Sequence, residues 1–595
     1  MSMTVSWFVA VRQVTLAVCV SVTAFLSSPM GAAEDAVDYP VPREAVRSEG
    51  IPVGKLIHGV FADSQIFPGT ERDYWVYVPV QLDADTMAPI MVFQDGKNYC
   101  REDRGARATI VFDNLIEEGA MPPTIGLFIN PGVVPAANEE ALPRFNRSFE
   151  YDDVSDRYAR FLLEEMIPFV ESNHDLTISD DPNDCGICGA SSGAIAAFAV
   201  AWNRPDAFRR VYSMIGTYVG LRGGDELATW VRKTEPKPLR IFLQDGSNDL
   251  NIYAGDWWMA NQTLSRALDW AGYEHNHVWG EGQHNHHHGA AIFPDAMRWL
   301  WKDYPKPIAT HWDRSSSRAN EMLVNGAGWE KIGDGYRWAE GLAINDQGTL
   351  FFSDVPAGKI YRVVDGHEPE LFIEDSGEAN GLALGPDGRL YGASRKLKKI
   401  LAWDLKTGNS EVVVEGLASN DLVVLNNGSI YVTDPVGKKV WLIDPSTKKA
   451  RVVDTFDGCN GITVSPDQTL LYVAHFDGRF IYSYQIADDG SLRFKQPYFH
   501  LHLPAVGTAS HADGMCTSAE GWLLSATESG IQVFDQPGRV NLIVPKPGWG
   551  RRVCYVRLHG NTMYAATADA VWKRTVKLNA SKPFEAPVLP PKPGL

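Results

Sequence analysis

The sequence predicts two domains of different class: a doubly wound, mostly parallel α/β sheet, and after it a six-bladed all-β propeller. Three observations predict this. Short apolar strands alternate with amphipathic helical stretches from about Tyr74 to Tyr304. The Pro-containing stretch DYPKPIATHWDRSSS then breaks the pattern. Beyond it, one short β-rich segment recurs every 40 residues, at Glu340, Asn380, Asn420 and Asn460.

Taken in chain order, the first 33 residues read as a signal peptide. Arg12 is the sole charge before Glu34, Val14 to Leu26 is apolar, and the small residues Gly31, Ala32 and Ala33 follow. The apolar core is shorter than the roughly 20 residues of a spanning helix, and no second such stretch follows. The mature chain is therefore expected to be exported, periplasmic or extracellular, with no stable membrane span. A net charge of -18 argues against a nucleic-acid partner, because a phosphate backbone would be repelled. Six cysteines lie beyond the signal, scattered rather than arranged as a framework. Cys185 and Cys188 sit on one short strand, where residues three apart face opposite ways, so buried thiols are expected rather than a redox pair.

From residue 34 to 307 the α/β domain is expected. WVYVPV, PIMVFQDG, TIGLFINPG, DCGICGASSG and LRIFLQDG read as strands ending in loops. RYARFLLEEMIPFV and the stretch around MANQTLSRALDWAG read as helices. Residues 308–326 read as a linker, 327–580 as the propeller and 581–595 as an extended proline-rich tail. The repeats EGLAINDQGTLFFSD, NGLALGPDGRLYGAS, NDLVVLNNGSIYVTD and NGITVSPDQTLLYVA have a fifth copy at Asp513 and a weaker sixth at Cys554. Each continues into a third strand, such as GKIYRVV or KKVWLID, as in a propeller blade. The stretch before Glu340 is expected to complete the last blade.

Gly189-Ala190-Ser191-Ser192-Gly193 fits GxSxG, the strand-to-helix turn that exposes a nucleophilic serine in α/β-hydrolases. CGIC supplies the strand before it and AIAAFAVAW the helix after it. The helix start aims backbone N–H groups, Ser192 first, at developing negative charge. A serine needs a base and the base an acid, in chain order Ser, Asp, His for this fold. LRIFLQDGSNDLN offers Asp245 and Asp249 beyond a strand end. Asp249 is preferred, since the Gly246-Ser247-Asn248 turn carries it toward the mouth, while Asp245 serves local backbone donors. The run GEGQHNHHHGA supplies His284, His286, His287 and His288 after the next strand. Adjacent histidines on one loop do not readily converge on one metal ion.

The segment from about Val53 to Pro307 resembles the enterochelin-esterase-like esterases, relatives of feruloyl and acetylxylan esterases. VFQDGKNY, RSFEYDDVSDRYARFL, GASSGAIAAFAVAWNRPDAFRRV, FLQDGSNDLN, GDWWMANQ and GQHNHHHGAAIFPDAMRWLW carry the resemblance. It implies Ser191 as nucleophile, Asp249 as acid and His284 as base, with His288 as the fallback base. It also implies a second oxyanion donor from the backbone of Gly96 or Lys97. Cys185 departs from the basic residue that relatives usually carry there.

Glu340, Asn380, Asn420, Asn460 and Asp513 each stand just before the innermost strand of a blade, so radial symmetry brings them to one end of the central channel. Such a ring of carboxylate and amide oxygens suits a hard divalent cation. This half resembles the gluconolactonase family, which includes senescence marker protein and luciferin-regenerating enzyme, through AEGLAI, NDLVV, GSIYVTDP, NGITVSPD and HADGM. The resemblance implies a divalent metal on Glu340, Asn460 and Asp513, with Ca2+ ahead of Zn2+ or Mg2+. By the same resemblance Asp513 could double as the base for hydrolysis and Asn420 would face the substrate or a bound water; Asn380 and Arg395 are further substrate-binding candidates. The expected protein is an exported hydrolase of carbohydrate or hydroxycinnamoyl-type esters with a lactonase-like propeller. The alternatives are a propeller that only binds a ligand or polymer, favoured by a filled channel, and a siderophore esterase.

Overall fold

The computed structural model describes residues 37–83, 86–364, 366–548 and 551–593. The expected signal segment lies outside these residues, apart from which the two expected architectures are both present. In the N-terminal half eight strands form one sheet: β1 (Lys55–Phe61), β2 (Arg72–Val78), β3 (Ile90–Gln94), β4 (Ile125–Ile129), β5 (Cys185–Ala190), β6 (Arg210–Met214), β7 (Arg240–Gly246) and β8 (Glu274–Gly280). Their order is β1-β2-β4-β3-β5-β6-β7-β8. Pairs along β4-β3-β5-β6-β7-β8 are parallel, and β2 runs antiparallel to both its neighbours.

The central strands IMVFQ, IGLFI, CGICGA and RVYSM are buried throughout, which is why they read as unbroken apolar runs. The two faces carry separate cores. Cys185 joins one, with Ile187 and Phe198, and Cys188 the other, with Phe93 and Tyr212. All six described cysteines are free and buried. Helices cover both faces, among them α1 (Ser192–Asn203), α2 (Leu227–Lys233) and α3 (Trp257–Ala271).

The C-terminal half is six four-stranded antiparallel sheets. The last blade combines Val553–His559, Thr562–Thr567 and Ala570–Thr575 with Glu330–Asp334 from the domain's start, closing the ring. Stretch 308–326, expected as a linker, is packed rather than free. Trp312, Ala319, Met322 and Leu323 enter one core with Val544, Val556 and Val576, because their apolar side chains have no better burial. The tail runs extended across the blade edges, held by Gln468 Nε2 to Pro583 O (2.9 Å) and Gln536 Nε2 to Pro591 O (2.7 Å).

The two halves meet through α2. Trp230 packs against the core that holds Phe499, Met515 and Ile543, and Thr234 bridges Ile543. Beside it Arg574 makes a bidentate pair with Glu235 at 2.9 and 3.0 Å.

Candidate functional site

The first candidate site lies at the C-terminal ends of the parallel strands, where loops from β5, β6, β7 and β8 converge. Ser191 turns the chain from β5 into α1 with φ 57° and ψ -123°, a conformation few residues other than glycine adopt. A Cβ on Gly189 would collide with Gly193 O, which explains the first glycine of the motif.

His284 comes from the loop after β8 and Asp249 from the loop after β7. Ser191 Oγ stands 2.8 Å from His284 Nε2, and His284 Nδ1 stands 2.6 Å from Asp249 Oδ1. The Asp249 side chain is fully buried and also accepts from Leu250 N at 2.5 Å. An ionised carboxylate only accepts, so the imidazole proton sits on Nδ1 and Nε2 is left to accept from the serine. Asp245 is buried beside Asp249 and takes the Gly246 N–H at 2.8 Å. Burial first, then the neighbouring Asp249, push its carboxyl well above the usual range.

The other histidines point elsewhere. His288 stacks on Tyr39 with centroids 4.5 Å apart and meets Gln244 Nε2 at 3.0 Å, so it does not serve as the fallback base. His286 lies edge-on to Tyr99, and burial lowers its pKa. His287 is exposed.

Of the three expected oxyanion donors, Ser192 opens α1, where its N–H has no intrahelical acceptor. The other two require correction. Gly96 N donates to Ile129 O at 3.0 Å, extending the β3–β4 ladder, and Lys97 N donates to Asn130 Oδ1 at 3.2 Å. Both hydrogens are already engaged.

One neighbour of the serine escaped sequence reasoning. Thr217 Oγ1 is 3.3 Å from Ser191 Oγ, and Trp257 Nε1 donates to Thr217 Oγ1 at 3.2 Å. The Trp257 ring also stands edge-on to His284, centroids 5.7 Å apart. GDWWMANQ marked the tryptophan as part of the resemblance; nothing in MIGTYVG marked the threonine.

The second candidate site is the propeller ring. Glu340, Asn380, Asn460 and Asp513 are buried and Asn420 is half-buried. Glu340 Oε2 accepts from Trp338 Nε1 at 2.8 Å. Asn420 Oδ1 and Asn460 Oδ1 are buried without a hydrogen-bond partner in the protein, and Asp513 Oδ2 is met by a guanidinium in an ion pair. Burial raises the pKa of Glu340, and burial with the Glu340 charge raises that of Asp513. Buried unpartnered amide oxygens beside two mutually repelling carboxylates have the donor chemistry of a hard-cation site.

The ring also holds an arginine that sequence reasoning missed. Arg552 lies with one Nη 3.2 Å from Asp513 Oδ2, its guanidinium 4.7 Å from the Phe476 ring centroid and 5.6 Å from that of Trp338. Arg395 is exposed, yet near enough to act electrostatically on Glu340. Beneath the ring the channel is filled: Asp421 accepts from Tyr555 Oη at 2.9 Å, and Arg557 donates to Tyr555 Oη at 3.0 Å. At the far end the tail residues Lys582 and Phe584 line a small cavity of about 40 Å³.

A serine–histidine–aspartate line thus stands in one half and a ring of buried oxygens in the other. Residues 64–305 match the family described as "Putative esterase", and residues 332–569 match the SMP-30/Gluconolactonase/LRE-like region. The chain thus joins an esterase region to a gluconolactonase-like propeller. A gluconolactonase of Zymomonas mobilis is 27% identical over 301 residues, covering 43% of this chain and 83% of its own. Lactonase drp35 of Staphylococcus epidermidis is 28% identical over 192 residues, covering 29% of this chain; the chain spans only 59% of that relative's length. The enterobactin esterase FES of Shigella flexneri superposes with a TM-score of 0.33 at 17% identity, covering 42% of this chain and 61% of that one.

Proposed function

We propose that the N-terminal domain is a serine carboxylesterase that acts on acylated carbohydrate or hydroxycinnamoyl-type esters. The observation that carries this reading is the line Ser191 Oγ, His284 Nε2, His284 Nδ1, Asp249 Oδ1, at 2.8 and 2.6 Å. Ser191 Oγ bonds to the ester carbonyl carbon as its proton passes to His284 Nε2, and the carbonyl π pair moves onto the oxygen. The Ser192 N–H faces that charge. Collapse breaks the bond to the alcohol oxygen, which takes the proton from His284. Water repeats the sequence on the acyl-serine and frees the acid. Asp249 keeps the imidazole oriented and stabilises it while it is charged.

The propeller is read as a metal-dependent lactonase. Glu340, Asn460 and Asp513 would hold the cation, most simply Ca2+ given all-oxygen donors, with Asn420 beside them. When bound, a divalent cation supplies Lewis-acid polarisation of a lactone carbonyl. Asn380 and Arg395 would be further contacts to a sugar-derived ring, and Asp513 would be the carboxylate that moves a proton. A second reading makes the propeller a noncatalytic binding module. Arg552 against Asp513, together with the filled channel, favours it, because a fixed guanidinium already neutralises part of the ring charge.

Export of the mature chain is part of the proposal, supported by the apolar segment from Val14 to Leu26, and N-terminal sequencing of secreted material tests it. The enzyme reading is tested with Ser191→Ala and with chelator on one preparation. Ser191→Ala is expected to lower p-nitrophenyl acetate and methyl ferulate hydrolysis by at least about a thousandfold while leaving lactone opening intact. Chelation is expected to remove aldonolactone opening and spare the ester activity. Undiminished ester hydrolysis in the alanine variant refutes the triad, and lactone inertness of the metal-loaded protein selects the binding module.

A further inference from the structure

We propose that Thr217 is a catalytic residue of the ester site, a hydroxyl donor to the Ser191 oxygen whose direction is set by Trp257. The proposal rests on the Ser191–His284–Asp249 reading and deepens it.

Ser191 Oγ carries one proton, and it is committed to His284 Nε2, since Asp249 holds the imidazole proton on Nδ1. Toward Thr217, 3.3 Å away, the serine oxygen can therefore only accept. An indole N–H only donates, so at 3.2 Å Trp257 makes Thr217 Oγ1 the acceptor on that side. The threonine's own proton is left for Ser191. Five groups then form one directed line, Trp257 to Thr217 to Ser191 to His284 to Asp249, each bond polarising the next.

The chemistry gives that line a use. Negative charge grows on Ser191 Oγ as its proton leaves, and it returns there when the acyl–Oγ bond breaks during deacylation. A hydrogen bond to a charged oxygen is roughly twice as strong as one to a neutral hydroxyl. The contact at 3.3 Å is long in the resting state, with room to shorten as charge develops, so it favours the transition state over the ground state. Thr217 thus serves the serine oxygen itself, a different atom from the carbonyl oxygen that an oxyanion hole holds.

The fold holds this arrangement firmly. Thr217 N donates to Ser191 O at 3.2 Å, and Thr217 and Trp257 are 1% and 3% exposed, so water does not compete for them. Two residues before Thr217, Ile215 adopts φ 42°, a costly angle for a β-branched residue and one that persists only where the surroundings impose it. Trp257 opens α3 and donates its own N–H to Leu250 O at 2.9 Å, next to Asp249. One tryptophan thereby fixes the donor, the ring of the base and the loop of the acid.

The test compares Thr217→Val, which keeps the shape and loses the hydroxyl, with Thr217→Ser, which keeps the hydroxyl, and Trp257→Phe, which keeps a ring and loses the N–H. Each full-length variant is measured for kcat and KM on p-nitrophenyl acetate and for the rate at which a fluorophosphonate labels Ser191. We expect Thr217→Val to lower kcat and labelling together by about 10- to 100-fold with KM within about twofold, the usual worth of a hydrogen bond to a charged group. Thr217→Ser is expected to recover to within about threefold, and Trp257→Phe to fall between the two. Labelling and kcat of Thr217→Val within twofold of the parent overturn the proposal, as does a loss in Thr217→Ser equal to that in Thr217→Val, which marks packing alone. Should Thr217→Val not fold, parental labelling in Trp257→Phe overturns it instead. A parent protein whose Ser191 is never labelled fails the underlying triad, an outcome distinct from these.

Discussion

Four histidines crowd into five positions, and the backbone decides which of them can act. His284 lies in the loop that leaves β8, facing the elbow, whereas His287 and His288 already belong to the short helix His287–Ala291. That helix turns His288 inward against Tyr39 and Gln244, where it packs rather than reacts. His284→Ala is therefore expected to lower ester hydrolysis by at least about a thousandfold with folding intact. His288→Ala is expected to cost about 1–3 kcal/mol of stability, the price of orphaning a buried polar partner, and less than about tenfold in kcat. Steady-state kinetics and thermal melts on the two variants separate these outcomes. The alignment of Ser191, His284 and Asp249, the residues proposed as nucleophile, base and acid, was legible because each sits at a fixed place after a recognisable strand. The oxyanion donors were less so: whether Gly96 N–H is open depends on how far the β3–β4 ladder runs, which is a property of pairing and not of composition. Thr217 and Arg552 left no local signal, since each reaches its site only through the packing of distant loops.

Among elements, the propeller strands show why a repeat is more readable than the reason for it. Each ring residue but Asn420 is followed by glycine, a pairing that looks like turn chemistry. The innermost strands give another cause. A Cβ on Gly341 would strike Asn380 O, one on Gly381 would strike Asp421, and one on Gly461 would strike Asp513 O. The register shifts between Ala339 and Leu342, Ala379 and Leu382, and Cys459 and Ile462, so a bulge bends each strand just where the ring residue enters the channel. Glycine is thus needed for the close approach of neighbouring blades. Gly461→Ala, facing backbone that cannot swing aside, is expected to cost about 1–3 kcal/mol. In a domain of this size that lowers the melting temperature by several degrees. Differential scanning calorimetry checks it. A melting temperature unchanged from the parent shows the contact to be soft.

At the scale of the whole molecule, two folds that could each close a core alone are joined by more than a tether. The 40-residue period and the strand–helix alternation made both domains readable, but nothing in the sequence of α2 announced that its outer face meets a blade. Trp230 looks like an ordinary helix tryptophan until Phe499 and Ile543 are set against it. Arg574, at 1% side-chain exposure, depends on Glu235 for its countercharge and on Ala327 O for a further bond at 2.8 Å. Removing one partner of a buried pair leaves an uncompensated charge, which costs about 3–5 kcal/mol when the pair is fully enclosed. Glu235 is one-fifth exposed, so water recovers part of this and about 2–3 kcal/mol is expected for Glu235→Gln. Because the loss falls on the junction rather than inside either core, it is expected to weaken the coupling of the domains more than the domains themselves. The parent should unfold in one calorimetric transition and Glu235→Gln in two, with ester hydrolysis unchanged at temperatures below both. Two transitions already present in the parent, at the same midpoints as in the variant, mean that the contact through α2 carries no coupling.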